Sequence, residues 1–185
     1  MQLDSDSGLF SNVTQQPSPN CDARPPQTPV DLLVIHSISL PPGEFGGSYI
    51  TDLFCNRLDP QVHPYFRDIA GLEVSAHLLV RRDGEVIQYV PLHQRAWHAG
   101  KSCFAGREAC NGFSIGIELE GCDDQPFEEA QYQQLVRLTR EIVRVYPDIL
   151  MDHIVGHSDI APGRKTDPGP YFDWGHFRRL LQEKG

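Results

Sequence analysis

The chain has 185 residues, with 25 Asp and Glu against 16 Lys and Arg, for a formal net charge of −9. That length suits one domain with a full core. The acidic balance argues against nucleic-acid binding, which calls for a basic face. No run approaches the roughly 18 apolar residues of a membrane span, and residues 1–7 carry neither the basic nor the apolar part of a secretory signal. A cytoplasmic protein with no membrane partner is expected. The 5 cysteines contain no C-x-x-C pair and read as reduced thiols without an assigned role.

Residues 1–29 are polar and broken by Pro17, Pro19, Pro25, Pro26 and Pro29, so they predict an irregular arm packed on a domain of residues 30–185. Leu32 to Ile38 is nearly continuous in apolar and β-branched residues, as a buried central strand requires. Pro41 to Gly47 reads as a loop, and Tyr49 to Leu58 as a short helix. Ala76 to Arg82 and Glu85 to Val90 form a hairpin, with Asp83-Gly84 favouring a tight primed turn. Phe113 to Leu119 is a second apolar strand. Glu128 to Tyr146 is a helix, because Tyr132, Leu135, Val136, Thr139, Ile142, Val143 and Tyr146 fall on one face and Pro147 stops it. A short strand over His153 to His157 and a terminal helix over Asp173 to Glu183, N-capped by Asp173, complete the set. Strands and helices alternate irregularly, so the fold class is α/β, a mixed central sheet flanked by helices.

Chemistry gathers at three places. His36 closes the first apolar strand, and His157 ends a later one that runs into a loop rimmed by Pro162, Pro168 and Pro170 and holding Lys165 and Asp167. Two imidazoles and a carboxylate make a three-ligand metal site with an open fourth position, as in catalytic zinc. Spacing alone leaves this open beside hydrogen-bonded strand-end histidines. A rival metal set would use His157, Asp159 and His176 in a two-His-one-carboxylate triad. On the second apolar strand, alternation places Gly116, Glu118 and Glu120 on one face. A carboxylate there is costly to bury without a task. Partial desolvation raises its pKa and suits Glu118 to general-base work, with Gly116 leaving space for a ligand. An edge strand with both glutamates in water is the alternative. Lys165 could offset a nearby oxyanion, whereas Arg164 reads as solvated. The third place is Arg95 to Lys101 with Arg107, where Trp97, His98 and the cations suit sugar stacking and carboxylate capture. His77 reads as a satisfied core histidine.

These pieces together resemble the zinc N-acetylmuramoyl-L-alanine amidases. Within them the match is to the AmpD-type enzymes of Gram-negative bacteria, which trim 1,6-anhydromuropeptides during cell-wall recycling. The resemblance rests on Val34-Ile35-His36 through Gly47, Ser75-Ala76-His77, Arg82-Asp83-Gly84, Ala96 to Gly100, Gly106-Arg107-Glu108, Ser114 to Gly121, and Ile160 to Pro170. It implies that His36, His157 and Asp167 bind Zn2+, that Glu118 rather than Glu120 is the base, and that Lys165 stabilises the transition state. It also implies a fold like that of phage amidases and peptidoglycan recognition proteins. Ser37, Trp97, His98 and Arg107 fall where members line the substrate groove. Ser37 replaces the usual Asn, and its hydroxyl reaches less far. A monomer acting on a small-molecule muropeptide is the corresponding expectation.

Overall fold

The apolar run that begins at Leu32 becomes a central strand because both of its faces are covered. The structure, a computed structural model, describes residues 1–183; Lys184 and Gly185, the end of the expected 30–185 unit, lie outside the described residues. The strands are β1 (Thr14–Gln15), β2 (Cys21–Ala23), β3 (Leu32–Ile38), β4 (Leu78–Val80), β5 (Val86–Gln88), β6 (Gln94–Ala96), β7 (Cys103–Phe104), β8 (Arg107–Glu108), β9 (Ser114–Glu120) and β10 (Ile154–Gly156). The helices are α1 (Tyr49–Phe54), α2 (Phe66–Ile69), α3 (Glu129–Val145), α4 (His157–Ile160) and α5 (Trp174–Gln182). The main sheet has the order β1-β5-β4-β9-β3-β10. β4 and β5 are antiparallel, and every other neighbouring pair is parallel. The mixed α/β sheet flanked by helices matches the expectation.

Alternation along β3 and β9 sorts their side chains onto two faces. Leu33, Ile35, Ile115, Ile117 and Leu119 pack with Leu135, Leu138 and Ile142 of α3 and Phe177 of α5. Each such side chain contributes roughly 1.5–3 kcal/mol when fully buried. Gln131 of α3 is itself buried and donates to the carbonyls of Val80 (3.2 Å) and Glu120 (3.0 Å), tying the helix to the ends of β4 and β9. Asp173 caps α5 as expected, accepting from the His176 N–H at 2.8 Å. On the opposite face, Leu32 and Val34 meet Ala99, Phe113 and Ile160. Leu79 and Ile87 meet Phe54 and Phe66 from α1 and α2.

Several expectations are corrected. The arm is more ordered than its prolines predict: β1 adds to the sheet edge beside β5, and β2 pairs with β6. Leu3 and Phe10 enter the core. The hairpin does not use a primed turn. The Gly84 N–H bonds the Arg81 carbonyl at 2.9 Å, the Arg81 N–H bonds the Glu85 carbonyl at 2.8 Å, and Gly84 alone of the loop takes positive φ (+88°). A one-residue-longer loop with a left-handed glycine follows the strand twist equally well. The strand before His157 ends at Gly156, and His157 opens α4. Of the two readings of the second apolar strand, the central one holds and the edge-strand alternative falls: β9 lies between β4 and β3, and both of its glutamates are buried. Glu120 accepts from the backbone N–H of Gly46 (2.6 Å) and of Arg82 (3.2 Å) and pairs with Arg81, so it anchors the glycine-rich loop rather than facing water.

Candidate active site

His36 and Glu118 are register partners on the parallel strands β3 and β9. Parallel partners point to the same face, which places both groups in the gap between the two smaller apolar clusters. β10 flanks β3 on its other side and delivers His157, while the proline-rimmed loop returns Asp167. The Asp167 carbonyl accepts from the Ser158 N–H at 2.9 Å, which holds that return against α4. Gly156 lets the loop close over it, since a Cβ there would lie 2.8 Å from Pro168 Cδ.

Three donor atoms converge. His36 Nδ1 and His157 Nδ1 are 2.9 Å apart, and Asp167 Oδ2 is 3.1 and 3.0 Å from them. The outer nitrogens are engaged elsewhere: His157 Nε2 faces the Ala99 carbonyl at 3.1 Å, and His36 Nε2 faces His98 Nδ1 at 2.9 Å. With the protons of both rings on their outer nitrogens, the inner lone pairs face one another and the carboxylate, and a cation among them would relieve the repulsion. Two neutral imidazoles and one carboxylate are the donor set of catalytic zinc. Ligands bound at about 2.0–2.2 Å in a tetrahedron sit roughly 3.3 Å apart, close to these separations. The residues therefore fit Zn2+. Burial lowers the pKa of His36 to about 4, keeping the ring neutral and available as a ligand.

Glu118 lies next to this cluster, Oε1 being 4.0 Å from His36 Nδ1. Its Oε2 is buried without a hydrogen-bond partner. Burial, then the charge of Asp167, push its pKa well above the usual carboxylate value, while Lys165 pulls the other way. A carboxylate whose proton affinity is raised in this way is suited to general-base work.

A cavity of about 500 Å³ opens over these groups. Glu118, His157, Asp167, Lys165, Ser37, Trp97 and His98 line it. Trp97 is held by its indole N–H to Asp22 Oδ1 at 3.3 Å, a contact supplied by the arm. Three sequence readings come out differently. Arg107 is not among the lining residues: it pairs with Asp31 and its guanidinium lies 3.7 Å from the centroid of the Phe113 ring. The space left by Gly116 is filled by the His98 ring, because a Cβ at 116 would sit 2.5 Å from His98 Cγ. Arg164 is not simply solvated, since it donates to the carbonyls of Ala99 and Lys101, both at 2.7 Å, and lines the cavity. The rival metal set is not assembled. Asp159 Oδ2 accepts from the Gly156 N–H at 2.7 Å, and His176 faces Glu129 at 2.8 Å. His77 is a satisfied core residue as read, facing the Gly116 N–H and the Gln94 carbonyl. Sequence reasoning missed the apolar side of the cavity, Tyr65, Ile69 and Leu72. They follow His63-Pro64 in a stretch without periodicity, which offers no signal.

Residues 26–170 match the N-acetylmuramoyl-L-alanine amidase family, a span that contains every cavity residue named above. The chain belongs to that family. As an N-acetylmuramoyl-L-alanine amidase it is 56% identical over 179 residues to the 1,6-anhydro-N-acetylmuramyl-L-alanine amidase AmpD of Escherichia coli K12, covering 97% of both chains. A crystal structure of a selenomethionine AmpD derivative superposes on this amidase with a TM-score of 0.93 at 55% identity, covering 98% of this chain and 99% of that one. The E. coli amidase AmiD, solved in complex with anhydro-N-acetylmuramic acid-L-Ala-D-γ-Glu-L-Lys, matches with a TM-score of 0.61 at 32% identity, covering 85% of this chain and 60% of that one. No helix of the amidase among the described residues is long and apolar enough to cross a membrane.

Proposed function

We propose that this amidase hydrolyses the amide between the lactyl group of 1,6-anhydro-N-acetylmuramic acid and L-alanine in soluble muropeptides, in the cytoplasmic recycling of peptidoglycan. One observation carries the reading: an imidazole–imidazole–carboxylate donor set shares a cavity with a buried, unpartnered glutamate whose pKa is raised. The name of AmpD relatives and the substrate held by AmiD support the choice of muropeptide. The free state of Cys21, Cys55, Cys103, Cys110 and Cys122 is compatible with a reducing compartment. A monomer suffices, because one chain supplies every group named here.

His36, His157 and Asp167 would hold Zn2+. Bound there, the ion would supply a Lewis acid for the scissile carbonyl and lower the pKa of water toward ~7. The chain's own residues do the rest. Glu118 takes the proton of the attacking water and returns it to the departing alanine nitrogen, so one carboxyl serves as base and then acid. Its raised pKa keeps that second transfer accessible. Lys165, exposed at the cavity rim, is the cation available to offset the developing oxyanion. Trp97 offers an aromatic face to the sugar, and the Ser37 hydroxyl offers a short polar contact. Arg107, engaged by Asp31, is omitted from substrate binding.

The deciding experiment measures metal content and product release together on anhydromuramyl-tripeptide, with intact sacculi in parallel. Stoichiometric zinc with cleavage of the soluble substrate is expected. Cleavage by metal-free protein, or a preference for sacculi, would overturn the reading.

A further inference from the structure

We propose that His98 is a positioning residue that fixes which nitrogen of His36 carries the proton, and so which one is offered to the divalent cation. The proposal rests on the metal reading above and names a residue that acts through His36 rather than on substrate.

Both ring nitrogens of His98 are occupied by the protein. Nδ1 lies 2.9 Å from His36 Nε2, and Nε2 lies 3.2 Å from Ser114 Oγ. Ser114 is fully buried, and its hydroxyl is 2.7 Å from the Cys110 carbonyl. A carbonyl can only accept, so the hydroxyl donates to it and turns a lone pair toward His98. His98 therefore donates from Nε2 and accepts at Nδ1. His36 in turn donates from Nε2, leaving the Nδ1 lone pair facing His157 and Asp167. One backbone carbonyl thus sets the direction of every proton in the chain.

The seat of the ring is equally specified. Only a glycine at 116 leaves room for it on β9, and Asn111 Oδ1 holds the loop from below, accepting from the N–H groups of His98 (3.1 Å) and Ala99 (2.7 Å). That loop serves the second imidazole as well, because the Ala99 carbonyl is the partner of His157 Nε2 at 3.1 Å. Two adjacent residues, one through its side chain and one through its backbone, orient both histidines. Such outer partners set ring orientation and ligand basicity, and their loss commonly weakens metal affinity 10–100-fold.

The test compares the parent protein with His98→Ala, His98→Asn and Ser114→Ala. Zn2+ affinity is read by chelator competition, the visible spectrum after Co2+ substitution, and KM on anhydromuramyl-tripeptide. His98→Ala should weaken Zn2+ binding by about 10–100-fold and shift the Co2+ bands, with KM unchanged. The Asn amide oxygen can stand where Nδ1 stands and accept from His36, so His98→Asn should recover most of the affinity. Ser114→Ala should lose a smaller part. Should His98→Ala fail to fold by circular dichroism, the other two variants decide. Parent-like affinity and spectra in the variants, with a raised KM, would make His98 a substrate contact and overturn the proposal. Failure of the parent itself to bind zinc stoichiometrically would instead remove the metal reading and this role with it.

Discussion

His36 Nδ1 and Glu118 Oε1 stand 4.0 Å apart because their residues are register partners on adjacent parallel strands. The candidate metal ligand and the candidate base are thereby held by backbone pairing rather than by loops. Glu118→Gln keeps the shape and removes the base. Turnover should fall by about 10²–10⁴-fold while zinc stoichiometry stays at the parent value, as product release and metal analysis would show.

The same glutamate sets a stability prediction. Its native pKa is raised by burial and then by Asp167, so the folded state binds its proton more tightly than the unfolded chain. Stability therefore falls as pH rises through the unfolded value, and the full penalty applies above the native one. In metal-stripped protein, Glu118→Gln should melt at a higher temperature than the parent at pH 7, and the gain should vanish below about pH 4. His36, lowered to about 4, works in the opposite sense, costing stability as pH falls, and is present in both proteins. Thermal melts across pH check this; no gain at pH 7 would count against a strained carboxylate.

Asp167→Ala should lose metal and activity together. Added zinc stabilises a protein that binds it only when folded, by about 2.7 kcal/mol at a hundredfold excess over Kd. The parent's melting temperature should therefore rise with zinc and that of the variant should not, as differential scanning calorimetry would record.

Gly116→Ala forces a methyl to within 2.5 Å of His98 Cγ, the root of the ring rather than a movable tip. The expected cost is about 1–3 kcal/mol of stability, measured by urea unfolding. An unaffected midpoint would mean that the ring has somewhere else to go.

Asp22→Ala removes the partner of the Trp97 indole and of Arg95. The ion pair is half-exposed, so stability should move by less than about 1 kcal/mol. KM on the muropeptide should rise several-fold with kcat little changed, as steady-state kinetics would reveal.

Most of the scaffold could be read from residue order because its signals are local. β3 and β9 are buried on both faces and so spell out continuous apolar runs, against which His36 and Glu118 are conspicuous. The long helix declares itself by its stripe, and Asp173 by its capping position. What stayed hidden depends on distant partners. Nothing near Arg107 indicates that Asp31 will pair with it. The vacancy beside Gly116 is visible in sequence, but its tenant, His98, arrives from another loop. The role of Ala99 is carried by a carbonyl, which every residue possesses and no motif can mark. The short strands of the arm are too brief to show alternation, and the prolines around them speak for disorder.

Arg24 gives the arm a weight its composition conceals. Its buried guanidinium donates to the carbonyls of Asn111, Gly112, Leu92 and Ser114, and so links the turns on which the His98 loop and the start of β9 rest. The leading segment is thus a keystone set in last-reached masonry. Shortening the chain up to the first long strand, as in trimming a protein for expression, would withdraw a cation from beneath the histidines and take a donor from four carbonyl oxygens.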